Sequence, residues 1–561
     1  MASYVFPDPT EKIIDDSLSP ILNRLLVARG LVKADEVKEF LNPNYDTQLH
    51  APELLSDMAK ACERIEAAMK ADERIAIFSD YDCDGIPGAV ILFDLFTAID
   101  YTNFQNYIPH RHFEGFGLST KAIDSLNKDK VKLIITIDCG TTNVEAVAHA
   151  KSLGIDVIIT DHHEPTEILP EAVAIVNPKL GDYPFEGLCG AGVVFKLAQA
   201  MLNRNDYGVS PGQEKWWLDM VGVATIADMV PLRGENRVLA HYGLQVLRKS
   251  RRPGLQQLLR KAKINQSYLT EEDVGFTIGP RINAASRMDT PEDAFYMLSE
   301  TDVVKAGERV EHLEKLNQDR KTQVALMTKD LHKRLKTLEE IPPVLVMGSP
   351  EWRPSLVGLA ASKLAEEHHR PVFLWGTDGN GVYKGSCRSG GGASVVTLMN
   401  TASAVFIEHG GHHFSGGFSV RDEDIFTFGE KLVQAMGGLG EAATIKEDIK
   451  IDAELSLNDV NQFLIKELSK LSPFGTGNHK PLFVFKNVVP KTVDLFGKTK
   501  EHSKLIFDTE DGQLEAIAFF QTPDQFSKEP KSDVPCTVIA HVEQSFFMGR
   551  QQKRLRIVEV L

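Results

Sequence analysis

The sequence predicts an α/β protein in which two α/β domains are joined by a long helix and followed by a small β-barrel. Three observations carry this reading. Short β-rich runs alternate with amphipathic stretches between residues 72 and 235, which is the pattern of a largely parallel sheet with crossover helices. A proline-free segment with three- and four-residue apolar steps covers 302–340. From about residue 445 onward, short β segments follow one another with turn residues between them.

Taken in order, residues 1–71 are expected to pack as a segment on the first domain, 72–235. Its strands are RIAIF (74–78), FQNYI (104–108), LIITI (133–137), DVIIT (156–160) and AVAIV (172–176). The stretches AVILFDLFTAI (89–99) and VEAVAHAKSLG (144–154) are long enough for crossover helices. Residues 236–341 read as a helical connector. In its last helix Val303, Ala306, Val310, Leu313, Val324, Met327, Leu331 and Leu338 keep one phase, broken at Asn317 and Arg320. Such a helix would span roughly 55 Å at 1.5 Å per residue, and the break in its seam favours a connecting spine over a coiled coil. Pro342-Pro343 ends it. A second α/β domain, 342–440, opens with VLVMG (344–348), a helix over 355–367 and PVFLW (371–375). The runs LFVFKNV, KLIFDT, LEAIAFF, CTVIAHVEQ and RLRIVEV then fit a β-barrel over 445–561.

Composition excludes several classes. With 25% charged residues, 8% aromatics and no Pro/Gly/Ser tract, the 561-residue chain is globular rather than disordered. No apolar run of about 18 residues and no signal-peptide layout occur, so an intracellular, cytoplasmic protein without a membrane segment is expected. Six scattered cysteines read as reduced thiols. The net charge of −16 sits badly with nucleic-acid binding, although RKSRRPGLQQLLRKAK (248–263) holds seven basic residues and no acid. That stretch is either a local basic surface or a solvated helix pair.

The chemistry lies where strands end. The first strand runs into Asp80, Asp82 and Asp84, three carboxylates in five residues, which repel one another unless cations neutralise them. An EF-hand shares this opening, but Ile91 stands where its twelfth-position Glu would be. The third strand ends in Asp138 and the fourth in Asp161-His162-His163. In an open α/β sheet the ligand site lies at the carboxyl ends of the strands, so these loops converge. Asp228 falls in WWLDMVGVATIADMVPL, read as an apolar helix from about Trp216, where it is either hydrogen-bonded or a ligand. Carboxylates mixed with imidazoles suit two divalent cations of the Mn²⁺ or Mg²⁺ kind. Cys83 and Cys139 read as packing residues.

The motifs DYDCDG, ITIDCG, TDHHEP and IADMVPL resemble, in order, those of the DHH phosphoesterase superfamily. IPHRHFEGFGLS, VNPK, GPRINAASRM, GSCRS, GGHHFSGG and SPFGTGN resemble the RecJ single-strand exonucleases within it. The resemblance implies a DHH catalytic domain, a DHHA1 domain and a C-terminal OB-fold. It implies a 5′ to 3′ exonuclease that degrades single-stranded DNA to mononucleotides in recombination and repair. By this resemblance Asp82, Asp84, Asp138, His162 and Asp228 match metal ligands, with Asp138 shared by both cations. Asp80, Asp161 and His163 are further ligands or partners of ligands. His163 either steadies phosphorane charge, shuttles a proton or holds a neighbour in place. Arg111, Arg281, Asn283, Ser386, Arg388 and His412 fall where phosphates of DNA are held, with Arg111 and Arg388 as a clamp for the terminal 5′-phosphate. Phe519, Phe520, Phe546 and Phe547 are candidates for stacking bases. A channel between the α/β domains, too narrow for a duplex, would explain single-strand preference. The partners implied are single-stranded DNA, single-strand-binding protein and a RecQ-type helicase, with the enzyme a monomer. The alternatives are a DHH phosphoesterase of short oligonucleotides or pAp, and a Cdc45-like scaffold that binds DNA without cutting it.

Overall fold

A computed structural model describes residues 4–6, 14–377, 381–391, 393–439, 448–547 and 550–561. The chain divides into two compact units, His50–Val230 with Tyr242–Glu447, and Met1–Leu49 with Pro231–His241 and Asp448–Leu561.

The first unit is built on a five-stranded sheet, β1 (Ile75–Ser79), β2 (Phe104–Tyr107), β3 (Leu133–Ile137), β4 (Asp156–Thr160) and β5 (Ala174–Val176). All pairs are parallel and the spatial order is β2-β1-β3-β4-β5. Every residue of β1 and β3 is buried, which explains why IAIFS and LIITI are near-continuous apolar runs rather than alternating ones. Helix α1 (Gly85–Ala98) follows β1, and its apolar residues are buried almost all round, as a helix inside a core requires. Helices α2 (Gly190–Arg204) and α3 (Leu218–Ala227) pack against it.

The connector holds α4 (Gly279–Met288), α5 (Glu292–Ser299) and α6 (Val303–Leu335). Asp302 caps α6 by accepting from the amides of Val304 and Lys305. At 33 residues α6 is about 50 Å long, ending before the stretch to 340 that its apolar phase suggested. The in-phase interruption is a buried polar contact: Asn317 is fully buried, and its Oδ1 accepts from the Arg320 guanidinium at 2.8 Å. Helix α7 (Pro354–His368) follows α6 and carries the chain through the second sheet, β6 (Leu345–Gly348), β7 (Val372–Thr377), β8 (Val382–Arg388), β9 (Glu408–Gly411) and β10 (Ser415–Arg421). Its order is β9-β10-β8-β7-β6, and only β6 and β7 are parallel.

The second unit carries a seven-stranded sheet. Its members are β11 (Ala453–Glu454), β12 (Phe483–Val488), β13 (Thr492–Phe496), β14 (His502–Thr509), β15 (Gly512–Ala518), β16 (Cys536–Phe547) and β17 (Arg550–Val560), in the order β11-β12-β16-β17-β15-β14-β13. Two expectations about boundaries need correction. Residues 1–71 do not act as one segment on the first domain: Leu22, Leu25, Leu26 and Val37 share a core with Phe483, Phe485, Leu505 and Leu555 of this sheet. Their two short helices, Pro20–Ala28 and Ala34–Leu41, have apolar faces that need such a partner. The boundary at 235 falls inside the helix Gly234–Leu247. There Arg237 donates to the carbonyls of Phe40, Lys470, Leu471 and Ser472, which places Pro231–His241 with the second unit.

Candidate metal centre

β1, β3 and β4 are sheet neighbours, so the residues that follow them are brought together at one edge. Asp80 to Asp84 form the turn from β1 into α1. Asp138 follows β3, and Asp161-His162-His163 follow β4. Asp228 is not inside a helix running from Trp216: a short 3₁₀ turn precedes α3, which stops at Ala227, and Asp228 is its C-cap. The next residue, Met229, has φ +62° and turns the chain away.

Asp138 has a positive φ of 59°, a conformation that costs a non-glycine residue roughly 1 kcal/mol or more. Its amide is anchored on the Thr160 carbonyl at 2.9 Å. Gly190 at the start of α2 makes the room: a Cβ there would lie 2.6 Å from that of Asp138. The same helix start feeds Asp84, whose carboxylate accepts from the amides of Gly190 (2.6 Å) and Ala191 (2.7 Å). Asp82 Oδ1 accepts from the amides of Asp84 and Gly85.

His162 sits at the middle. Its Nε2 lies 3.2 Å from Asp138 Oδ1, 3.6 Å from Asp84 Oδ2 and 3.8 Å from Asp228 Oδ2. Of the four groups among the described residues whose ligand atoms lie within 4.8 Å of one another, three are at this centre: Asp80, Asp82 and Asp138; Asp84, His162 and Asp228; and Asp138, His162 and His163. Asp138 belongs to two of them.

These residues fit divalent cations on structural grounds. Asp80 Oδ1 and Asp138 Oδ1 are buried with no hydrogen-bond partner. Burial, then the neighbouring carboxylates, push Asp80 and Asp138 well above the usual range, and Asp228 to about 9. Burial also raises Asp84, against the pull of His162. Carboxylates that discourage one another's ionisation need a positive charge among them.

Asp161, read as either a ligand or a partner of ligands, behaves in the opposite way. Its Oδ1 accepts from the amides of His162 (2.8 Å) and His163 (3.2 Å) and from His163 Nδ1 (2.7 Å), and its Oδ2 from the Thr141 amide (2.9 Å). Burial alone would raise it, but the His163 contact and the Thr141 amide hold it down at about 2. It joins none of the three groups. With Asp161 ionised, His163 Nδ1 must be the donor, and although burial opposes it, this contact raises the imidazole. Phe116 stands edge-on to that ring, with centroids 5.5 Å apart.

The residues expected on phosphates separate into two sets. Arg281 donates through Nε (2.6 Å) and Nη2 (3.3 Å) to Glu314 of α6 and through Nη1 to the Thr277 carbonyl, so its fork is filled. Asn283 Oδ1 accepts from the Cys83 amide at 3.0 Å and braces the turn after β1.

Arg388 donates to Ser362 Oγ and Ser386 Oγ, and Arg111 lies 4.8 Å over the Tyr81 ring. His412 is exposed in the turn between β9 and β10, its amide on the Ser415 carbonyl. Arg287 is an addition that the sequence reading passed over. Burial first, then Arg111 and Arg320, push its guanidinium down to about 9, with Arg388 adding to the effect. Among the described residues no carboxylate forms an ion pair with Arg111, Arg287, Arg320 or Arg388, and the acids that act on them from further off are those of the metal centre, Asp80 on Arg111 and Asp82 on Arg287. The signals were present: Arg287 is the penultimate residue of the motif GPRINAASRM, and Arg320 is one of the breaks in the seam of α6.

By contrast, the basic run 248–263 is partly engaged within the fold, while Lys249, Arg251, Arg260 and Lys263 are exposed. Arg252 bonds to Asp94 and Asp219, Arg248 to the Leu269 carbonyl, and Lys261 to Glu311. In the second unit Phe519 and Phe520 are exposed, with Arg554 and Arg556 within 6 Å of the Phe519 ring. The side chains of Phe546 and Phe547 lie outside the described residues.

Comparison with known proteins agrees with this layout. Residues 74–225 match the DHH family N-terminal domain, 342–437 the DHHA1 domain and 451–559 the RecJ OB domain. The single-stranded-DNA-specific exonuclease RecJ of Bacillus subtilis is 32% identical over 96% of this chain and 68% of that protein. Its namesake from Haemophilus influenzae is 31% identical over 89% of each. The crystal structure of Thermus thermophilus RecJ in complex with Mn²⁺ superposes with a TM-score of 0.81 at 26% identity, covering 97% of this chain and 76% of that one. The Mg²⁺ complex of the same protein gives 0.75, with 97% and 75% covered. The chain belongs to the RecJ family.

Proposed function

We propose that this chain is a metal-dependent hydrolase that degrades single-stranded DNA from its 5′ end and releases mononucleotides. The observation that carries the reading is the juxtaposition of two kinds of site. Acids and imidazoles that need cations stand at the carboxyl ends of β1, β3 and β4, and arginines that form no ion pair among the described residues stand beside them.

Asp80, Asp82 and Asp138 would hold one divalent cation, and Asp84, His162 and Asp228 a second, with Asp138 between them. When bound, such cations activate water and neutralise the charge of the phosphodiester in its transition state. The protein's own groups do the remaining work. Arg111, Arg287 and Arg388 bind the terminal 5′-phosphate and set the polarity of digestion. The Asp161 carboxylate keeps the His163 proton on Nδ1 and the ring in a fixed orientation. The other ring nitrogen, Nε2, is then left to the departing oxygen, to which a protonated ring gives its proton. Asn283 keeps the turn of Asp82 and Asp84 in place.

In this reading residues 72–235 are the catalytic domain, 342–440 add Ser386, Arg388 and His412, and 445–561 hold the unreacted strand. Recombination and repair in the cytoplasm, as a monomer supplied by a helicase and single-strand-binding protein, are part of the same proposal. It is supported by the RecJ relatives and by the absence, among the described residues, of any helix long and apolar enough to cross a membrane.

The test is digestion of 5′- and 3′-labelled oligonucleotides, single- and double-stranded, with Mn²⁺. The 5′ label is expected first, as a mononucleotide, from single strands only. Release first from the 3′ end would sink the polarity. Activity confined to dinucleotides would favour an oligonucleotide phosphoesterase, and binding without cleavage a scaffold.

A further inference from the structure

The first sheet has an open edge. Strand β2 pairs only with β1, in parallel register with Ile75 opposite Phe104 and Ile77 opposite Asn106. The Ile75 amide donates to the Asn103 carbonyl, so in a parallel ladder Gln105 and Tyr107 turn their backbone groups toward β1. Phe104 and Asn106 therefore direct theirs outward, where among the described residues no further strand pairs. The segment FQNY is short but carries no lysine, proline or bulge, the usual guards of an edge.

A groove of about 750 Å³ runs along this edge. Phe93, Phe104 and Phe295 make edge-to-face contacts in its wall, and Tyr296 of α5 is half exposed beside them. Asn106 also lines it, and its buried Oδ1 has no hydrogen-bond partner. The charged residues of the lining are Asp100 and Glu300; it contains no lysine, arginine or histidine. An open backbone ladder, an aromatic slot and an acidic rim are the three parts of a strand-addition site.

We propose that this edge docks an extended segment of a partner protein as a sixth strand beside β2. The segment places a bulky apolar side chain in the aromatic slot and a basic side chain against Asp100 and Glu300. The site is independent of the metal centre, since neither Phe104 nor Asn106 belongs to it, so the failure of one reading leaves the other standing.

The probe is a fluorescent peptide of about ten residues, long enough for one strand, alternating valine or phenylalanine with lysine, and its counterpart with glutamate for lysine. With the full-length protein, fluorescence anisotropy is expected to show the lysine peptide binding at least about tenfold more tightly than the glutamate peptide. The amides of Phe104 and Asn106 should exchange hydrogen at least about tenfold more slowly in its presence. Asn106→Pro deletes an outward N–H that the β1 ladder does not use, so binding should be lost while single-strand hydrolysis persists. Asp100→Asn, tolerated at a positive φ, should weaken the lysine peptide about threefold without disturbing the fold. Equal binding of both peptides, unchanged exchange at Phe104 and Asn106, or full binding by Asn106→Pro overturns the proposal. So does self-association that Asn106→Pro abolishes, which would assign the edge to a second copy of the chain.

Discussion

Asp161 and Asp138 sit at equivalent ends of neighbouring strands, yet their surroundings assign them opposite work. Asp138 is buried with an unpartnered oxygen, whereas Asp161 is covered by donors and ionised. Asp161→Asn should therefore lower turnover on single-stranded DNA about 10- to 100-fold by releasing His163, while the affinity for Mn²⁺, read by calorimetry, stays within about threefold. A parallel loss of affinity would make Asp161 a ligand. The raised acids give a second expectation, for metal-free protein. Burial and the neighbouring carboxylates push Asp228 up to about 9 in the folded chain, against roughly 4 for an unfolded aspartate, so the folded state binds the extra proton and loses stability as pH rises through that interval. In EDTA the Tm should fall between about pH 5 and 9, and saturating Mn²⁺ should remove that slope. A flat Tm without metal would contradict the account. At this scale the ligand acids were legible because each follows a β-rich run. The distinction between Asp138 and Asp161 was not, since it depends on amides contributed by Thr141 and on the space left by Gly190.

Among the elements, α4 shows how one helix can hold two arginines of different purpose. Arg281 faces α6 and is filled by Glu314, while Arg287 faces Arg111 and Arg388, donates to the Ser355 carbonyl and is acted on by Asp82 without forming an ion pair. Arg281→Met should leave the KM for single-stranded DNA nearly unchanged and lower stability by about 1 to 3 kcal/mol, seen as a lower urea midpoint. Arg287→Met should do the reverse, raising KM about tenfold or more at little cost in stability, because removing one of several crowded cations relieves repulsion. If the two variants behave alike, the separation is wrong. From sequence both arginines belong to one motif, and Glu314 lies 33 residues beyond Arg281 on another helix. A helix pattern records that Asn317 and Arg320 break the apolar seam, but not that the break is buried against something. Strands β1, β3, β4, β5, β6 and β7, by contrast, were readable from composition, because buried parallel strands have nearly all-apolar sequences, whereas the antiparallel and more polar β8, β9 and β10 were not read.

Over the whole chain, local pattern gave the order of domains but not which segments share a core. Leu22, Leu25 and Leu26 lie more than 450 residues from Phe483 and Leu555, and no periodicity marks a partner at that distance. The same reason hid Arg237, whose bonds to Lys470, Leu471 and Ser472 are invisible within its own helix. The metal centre escaped this limit, since sheet topology alone gathers the ends of β1, β3 and β4. The account stands on that gathering, with Asp138, like His162, common to two groups of ligands. Its most direct test is the equilibrium binding of Mn²⁺ to wild-type protein and to Asp138→Ala. The account expects about two ions per wild-type chain and at most about one, bound at least tenfold more weakly, in the variant. Wild-type stoichiometry and affinity in Asp138→Ala would contradict it.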